Sequence, residues 1–385
     1  MIKIEIDNIG EIKKAHFAGV KDLILNRINF YNSVFKVIDR QAGYSINTVH
    51  DYTFLNTKLK TSLLKVIGRA KGVFNSQAHY ANLHDPTVLS LHFYNNRAGY
   101  ISLLTALSDE NTLKALILSE IDDLETTNQL YNNAWFTDKT IEFFKCIIPY
   151  SVFIKKATKP YNAYTLSNSL NINVCSYCNR IYTNTVIGKG KNLIIRPTLD
   201  HYFHQAMYPL LGLSFYNLIP SCNFCNSNLK GEKTFTLNHH VHPYKEGFGQ
   251  DATFDYEQLG YNQDKSDARN YKLVLNENIN NANAKHLRMF GVVGNRDTGN
   301  VEVFKIREVY QGHADVVGEL IVKSDKLSPY YAGNVINMLS QLGASKKEFY
   351  RFYFANYLDE KDFNKRPLAK LTKDIVTKYI PEALP

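Results

Sequence analysis

The chain has 385 residues, which exceeds the ~250–300 residues over which one hydrophobic core usually grows, so two or three structural units are expected. Hydrophobic residues make up 44% of the chain, which leaves little room for long disordered regions, and every apolar run is far shorter than the ~20 residues that cross a bilayer. A net charge of +9 favours a polyanionic partner such as nucleic acid.

Residues 1–165 are predicted to form a mainly helical region that contacts a substrate or a partner. The first seven residues alternate apolar and charged side chains, which indicates a strand and not a secretory signal. Helices are predicted where apolar residues recur every three or four positions, from Val20 to Ile28, from Leu55 to Val66 and from Leu113 to Leu124. We therefore expect a cytoplasmic protein that does not associate with a membrane.

Residues 166–250 contain two Cys-x-x-Cys pairs, Cys175/Cys178 and Cys222/Cys225. Two such pairs can supply four thiolates to one tetrahedral Zn²⁺. A metal site fits a chain of this size in a reducing compartment better than a disulfide framework does. The pattern predicts a structural zinc, and the remaining Cys146 is expected to be a buried and inert thiol.

The segment between the cysteine pairs is predicted to form two strands followed by a helix. The apolar run Asn192–Leu199 indicates a strand, which is preceded by a hairpin turn at residues 188–190 and places Asp200 and His201 at its end. The run Phe215–Ile219 leads into the second cysteine pair, and Pro220 and Ser221 are predicted to begin a helix. Zinc would then hold the foot of this helix to the first hairpin.

Residues 251–385 are predicted to form a region of mixed structure that becomes helical. Strands are expected at Lys272–Leu275 and Val301–Ile306, on either side of the turn at Gly294–Gly299. From Val309 to the end, the spacing of apolar residues predicts helices that are interrupted at Pro329 and Pro367.

The polar residues inside the cysteine frame suit phosphodiester hydrolysis. Adjacent residues of a strand point to opposite faces, so His201 can face a water molecule while Asp200 holds a metal ion. A neutral imidazole can accept a proton from water near pH 7. Asn226 on the following helix can add a neutral oxygen ligand, with Asn228 as the alternative, and this ligand set suits Mg²⁺, Mn²⁺ or another divalent ion.

The segment from Cys175 to Tyr244 resembles the HNH endonucleases, whose ββα-metal motif often carries a double zinc knuckle. The matching residues are Asp200-His201, Asn217-Leu218, Cys222-Asn-Phe-Cys225-Asn226 and Lys230. The resemblance implies that His201 is the general base and that Asp200 and Asn226 bind the catalytic divalent ion. It also implies that Asn217 constrains the loop and orients His201.

The resemblance has two departures and one looser extension. His204 stands where the family often has a proline, and Lys230 lies four residues after Asn226, where three are usual. The elements Tyr208-Pro209 and His242-Pro-Tyr244 resemble those of HNH proteins in bacterial defence systems, including the nuclease subunits of Septu-type pairs that work with an ATPase. This likeness suggests an effector in antiviral defence.

The sequence thus predicts a metal-dependent HNH endonuclease that acts on DNA, with Lys230, Arg180 and Arg196 as candidate phosphate contacts. The expected fold is α+β and predominantly helical, with a central HNH module between a helical N-terminal region and a mixed C-terminal region. The alternative is a non-catalytic zinc module that binds nucleic acid or protein. A third interpretation keeps the nuclease but makes its activity depend on an ATPase or another sensor subunit.

Overall fold

A computed structural model describes residues 1–53, 55–68, 89–129, 136–155, 161–189, 192–260, 264–280, 283–292, 294–295, 297–327, 329–341 and 343–380. These residues form two compact units that are both discontinuous in sequence. The cysteine unit comprises residues 1–7, 167–202 and 219–385, and the helical unit comprises residues 8–166 and 203–218. The predicted 166–250 module is therefore distributed over both units.

The described structure is α+β, and most of its residues are helical, as the sequence predicts. The α-helices up to the first cysteine pair are α1 Ile9–Ile38, α2 Ile46–His50, α3 Thr57–Ile67, α4 Leu91–Asn95, α5 Arg97–Ser108, α6 Glu110–Ile117, α7 Leu124–Gln129, α8 Asp138–Ile147, α9 Tyr150–Phe153 and α10 Ala163–Leu170. The predicted helices at residues 20–28 and 55–66 correspond to α1 and α3. The predicted run at residues 113–124 is divided between α6 and α7, with a 3-10 turn at Ile121–Asp123 between them.

The core of the helical unit is built around the long helix α1. Its inward face is apolar, and α1 packs against α5 and α8. Tyr100 stacks on Phe35 with ring centres 4.9 Å apart, and Phe143 meets both rings edge-on. Edge-to-face and stacked pairs of this kind stabilise a core beyond the contribution of their buried area.

A second buried contact of the helical unit involves a histidine. His16 is fully buried, and its Nε2 lies 2.8 Å from the carbonyl oxygen of Leu213. Because that oxygen only accepts, Nε2 must carry the proton, so Nδ1 accepts a hydrogen bond from the Tyr161 hydroxyl 3.1 Å away. Burial of the ring lowers the pKa of His16 to about 4. The ring is therefore neutral in the folded chain.

The lowered pKa of His16 predicts that the helical unit loses stability in mild acid. A histidine in the unfolded chain has a pKa of ~6.5, so below that pH the unfolded state takes up a proton that the folded state refuses. The stabilisation is complete above about pH 6.5 and falls by about 3 kcal/mol as the pH drops to about 4. Denaturant unfolding of His16→Gln should show a shallower decline over this window, and an unchanged slope would contradict the assignment.

Three two-stranded sheets are found among the described residues. Their strands are β1 Val186–Ile187, β2 Leu193–Ile195, β3 Thr198–His201, β4 Leu218–Ser221, β5 Ala252–Gln258 and β6 Tyr271–Glu277. Strands β1 and β2 pair antiparallel across the predicted hairpin, although residues 190 and 191 of its turn lie outside the described part of the chain. The predicted strand at residues 192–199 is divided between β2 and β3 by Arg196 and Pro197.

The remaining helices follow the second cysteine pair. Residues Phe224–Lys230 form a short helix of π type, named the knuckle helix below. The α-helices after it are α11 Ala284–Phe290, α12 Asn300–Val303, α13 Ile306–Val309, α14 Ala314–Lys326, α15 Pro329–Gln341, α16 Lys346–Phe354 and α17 Ala369–Tyr379. Helices α14 and α17 pack on the β5–β6 sheet, whose alternating residues Phe254, Leu273 and Leu275 are buried.

The structure differs from the sequence-based prediction in several elements. The run Val301–Ile306 is not a strand: Val301–Val303 belong to α12 and Ile306 begins α13, with a turn at Phe304 and Lys305 between the two helices. The predicted strand at 272–275 is part of β6 and pairs with β5. Strand β5 was not predicted, because the segment that contains it is mainly polar. The stretch Pro220–Ser221 belongs to β4, and the helix begins at Phe224.

Residues 1–6 belong to no helix or strand and Asp7 lies in a turn, so the strand predicted at the first seven residues is not observed. Ile2 donates its backbone N–H to Ser176 and Ile4 donates to Pro243, so this segment bonds to loops where a partner strand was expected. Within the described ranges, no helix has both the length and the apolar character required to span a membrane.

Candidate metal centre and histidine site

The four paired cysteines converge on one point of the cysteine unit. The Sγ atoms of Cys175, Cys178, Cys222 and Cys225 all lie within 4.8 Å of one another, and all four residues are buried. Tetrahedral zinc with Zn–S bonds of ~2.3 Å needs sulfurs ~3.8 Å apart, so small side-chain shifts suffice to form the site. The predicted cysteine cluster is present, and its donors and spacing fit a metal ion such as zinc.

Hydrogen bonds of the backbone support both cysteine loops. The Cys225 N–H points at Cys222 Sγ at 3.5 Å, which is the geometry of a knuckle that stabilises a thiolate. The Tyr310 hydroxyl donates to the carbonyl oxygen of Cys178 at 2.7 Å from outside the loop.

The knuckle helix leaves the cluster and returns to the end of strand β3. Strands β3 and β4 pair, and the Thr198 hydroxyl donates to the carbonyl oxygen of Ser221 at 2.8 Å. The helix starts within the second cysteine pair and ends at Gly231, whose φ of 53° is a conformation that glycine adopts without strain. The order of strand, strand and helix that the sequence predicts is therefore present around the cysteine cluster.

Asp200 lies beneath the end of β3 and is only 3% exposed. The Tyr177 hydroxyl donates to its Oδ2 at 2.6 Å, and Lys230 Nζ donates to its Oδ1 at 3.1 Å. Burial raises the pKa of Tyr177 well above its usual value, and the neighbouring carboxylate raises it further, so the phenol remains a donor. Both oxygens of the carboxylate that was predicted to bind a metal ion thus accept hydrogen bonds from protein groups.

Lys230 connects Asp200 to its neighbour His201. Its Nζ donates to the carbonyl oxygen of His201 at 2.6 Å and lies 4.9 Å from the ring centre of Phe235. The lysine was predicted to contact phosphate, but it is only 1% exposed and its ammonium is bonded inside the protein. His201 itself is half-buried at the last position of the strand.

Asn217 lies in the helical unit, where it joins the two ends of the segment 203–218. Its Oδ1 accepts the Phe203 N–H at 2.7 Å. Its Nδ2 donates to the carbonyl oxygens of Phe203 at 3.2 Å and Leu211 at 3.0 Å. One fully buried amide therefore satisfies three backbone groups, which agrees with the loop-constraining part of its predicted role.

The two candidate asparagines of the knuckle helix differ in exposure. Asn226 is half-buried, whereas Asn228 is exposed. Asn228 borders an open depression of about 680 Å³ that Gly231 and Lys233 also line. Lys233 forms a 2.7 Å ion pair with Asp297 across this depression.

The two arginines predicted to contact phosphate are both half-buried. Arg180 donates from Nε to His313 Nε2 at 2.9 Å and lies over the ring of Tyr310. Arg196 donates to the carbonyl oxygen of Pro197 at 2.6 Å, between β2 and β3. Both side chains thus have partners inside the protein.

The histidines that follow the knuckle helix are structural in their contacts. His240 is buried and stacks on Phe235 with ring centres 3.8 Å apart, and burial lowers its pKa to about 4. His242 is buried against Tyr202 at 4.3 Å between ring centres. Residues near the metal centre that sequence reasoning did not assign are thus mainly aromatic, with Phe235 at their centre.

The cysteine unit therefore places a metal-binding cluster, a buried Tyr–Asp–Lys network and the half-buried His201 along one strand and one helix. The hydrogen bonds of the network join the end of this strand to the first cysteine pair and to the end of the knuckle helix. No match to this chain is found among protein-family models, curated proteins or solved structures.

Proposed function

We propose that this chain is an HNH-type endonuclease that hydrolyses phosphodiester bonds of DNA, with His201 as its general base. The observation that carries the proposal is the return of the knuckle helix to the strand that ends in His201, where Lys230 Nζ lies 2.6 Å from the His201 carbonyl oxygen. A metal cluster, a strand pair and a helix thereby support one half-buried imidazole. Such rigid support is what proton transfer by a positioned base requires.

In the proposed reaction His201 accepts a proton from the attacking water. A neutral imidazole can do so near pH 7, because the unperturbed pKa of histidine is ~6.5. The resulting hydroxide attacks phosphorus, the bond from phosphorus to the leaving oxygen breaks, and the leaving oxygen takes a proton from solvent, while His201 returns its proton to solvent. The zinc site is structural in this proposal, because four thiolates leave no coordination position open for substrate.

The sequence also suggests a catalytic divalent ion, Mg²⁺ or a similar cation. Asn226 fits such an ion, since it is half-buried on the knuckle helix and offers a neutral oxygen. Asp200 does not fit, because its carboxylate is buried and bonded to the Lys230 ammonium. We therefore assign no chemical step to the ion, although we expect cleavage to require a divalent cation, which the cleavage assay measures.

The hairpin β1–β2 is the observation that favours the second candidate, a non-catalytic zinc module. Ile187, Ile194 and Ile195 of this hairpin are 41%, 50% and 55% exposed. Several exposed apolar side chains on one hairpin are typical of a region that binds a partner. A nuclease that is activated by an ATPase or sensor subunit would account for both the support of His201 and the exposed apolar hairpin.

Cleavage of plasmid DNA by the purified chain tests the proposal directly. Supercoiled plasmid, single-stranded DNA and RNA are each incubated with the chain and Mg²⁺ or Mn²⁺, with and without a chelator. We expect nicked or linear plasmid that requires the added ion, and zinc content is measured after the chelator step so that loss of structural zinc is recognised. Binding of nucleic acid without cleavage, both alone and with any subunit recovered by pull-down, would favour the zinc module.

A further inference from the structure

The buried carboxylate of Asp200 is the point at which three chain segments meet. Tyr177 belongs to the first cysteine pair, Asp200 to strand β3, and Lys230 to the end of the knuckle helix. Tyr177 is held in turn by Phe304, whose ring stacks on it at 4.2 Å. The two hydrogen bonds of Asp200 therefore connect both cysteine loops to the strand that carries His201.

Lys230 makes the connection to His201 direct. The same ammonium that pairs with Asp200 at 3.1 Å donates to the His201 carbonyl oxygen at 2.6 Å. Both side chains of the ion pair are almost fully buried, at 1% and 4% exposure. Removal of either partner would leave an unpaired buried charge, which is strongly unfavourable. The Asp200 carboxylate, the Lys230 ammonium and the His201 carbonyl group are therefore expected to keep fixed positions relative to one another.

The location of this lysine also bears on the role of Asp200. A divalent cation bound to Asp200 would share a buried carboxylate with an ammonium group, and the two positive charges would repel each other with little screening by solvent. Tyr177 occupies the second oxygen of the carboxylate from the opposite side. The carboxylate is thus placed to hold donors of the protein itself.

We propose that Tyr177, Asp200 and Lys230 form a positioning network that fixes the main chain at His201, and that Asp200 is not a ligand of a catalytic ion. This inference rests on the proposed function, because it concerns the residue assigned there as the base. Asp200 positions His201 through Lys230. Tyr177, which lies between Cys175 and Cys178, holds Asp200 at a fixed distance from the metal cluster.

The first test follows the imidazole itself by NMR in the zinc-loaded chain without added divalent ion. Lys230→Met removes the ammonium and keeps the stem of the side chain, and Tyr177→Phe removes one hydrogen bond. Lys370→Met is the matched control, because Lys370 forms another buried ion pair, with Asp374 at 2.9 Å, in the same unit. We expect the His201 ring signals to shift in the first two variants and to stay in place in the control.

Unchanged His201 signals in Lys230→Met would overturn the inference. If that variant does not fold, Tyr177→Phe decides, since it leaves the ion pair intact. The NMR result does not depend on turnover, so it remains informative if the wild-type chain cleaves no nucleic acid and the proposed function fails instead.

The second test separates positioning from ion binding. If the wild-type chain cleaves DNA, Lys230→Met should lower kcat by about tenfold to a hundredfold, the loss expected when a catalytic group is displaced by about 1 Å, and leave KM nearly unchanged. Asp200→Asn should bind Mn²⁺, followed by electron paramagnetic resonance, with the same Kd as the wild type. A Kd raised by about tenfold or more, as for loss of a ligand, would overturn the assignment of Asp200.

Discussion

Substitution of Cys222 by serine is expected to abolish stoichiometric zinc binding and to destabilise the cysteine unit severely. Zinc binding contributes about 10–16 kcal/mol to the folding of small zinc domains. The described segment around the first cysteine pair, residues 171–185, contains no helix or strand of its own. A bound metal would join this segment to the knuckle helix, in addition to the hydrogen bonds of Tyr177 and Lys230 to Asp200.

The measurement is zinc content together with thermal unfolding. Loss of even about 5 kcal/mol lowers the melting temperature of a unit of this size by about 10–20 °C. Cys146→Ser is the matched control, because Cys146 lies in α8 of the helical unit and does not belong to the cluster. A Cys222→Ser chain that retains one zinc and its melting temperature would contradict the assignment of the cluster.

The parts of the fold that could be predicted are those encoded by local spacing. Helices α1 and α3 follow from apolar residues at every third or fourth position, and the cysteine cluster follows from two short pairs whose geometry hardly depends on the rest of the chain. Strand β6 was likewise visible as a short apolar run.

The parts that could not be predicted depend on contacts between distant residues. The apolar run Val301–Ile306 fits a strand as well as a helix, and the structure divides it between α12 and α13 with a turn between them. Strand β5 carries few apolar residues and gains its stability from pairing with β6. Local spacing therefore cannot distinguish the alternatives at either place.

The candidate site shows the same limit. The sequence places Asp200 beside His201, but it does not reveal that the carboxylate is buried between Tyr177 and Lys230. Those partners lie 23 and 30 residues away along the chain. A lysine near a proposed active site suggests a phosphate contact on charge alone, whereas its burial points to an internal role.

Replacement of His201 by alanine is expected to remove nucleic-acid cleavage while preserving the fold. A general base contributes about a hundredfold to ten-thousandfold to the rate, so the loss in kcat should lie in that range. The hydrogen bond from Lys230 reaches the His201 backbone carbonyl and not the ring, so alanine retains it. Zinc content and melting temperature should consequently remain close to those of the wild type.

Two further measurements distinguish a base from a structural histidine at position 201. Added imidazole should restore part of the activity of His201→Ala, because a small base can enter the space that the missing ring leaves. His239→Ala is the matched control, since His239 is an exposed histidine of the same unit and should be dispensable for cleavage. If His201→Ala cleaves plasmid at the wild-type rate, the proton must be taken by another group, and the assignment of His201 as the base is wrong.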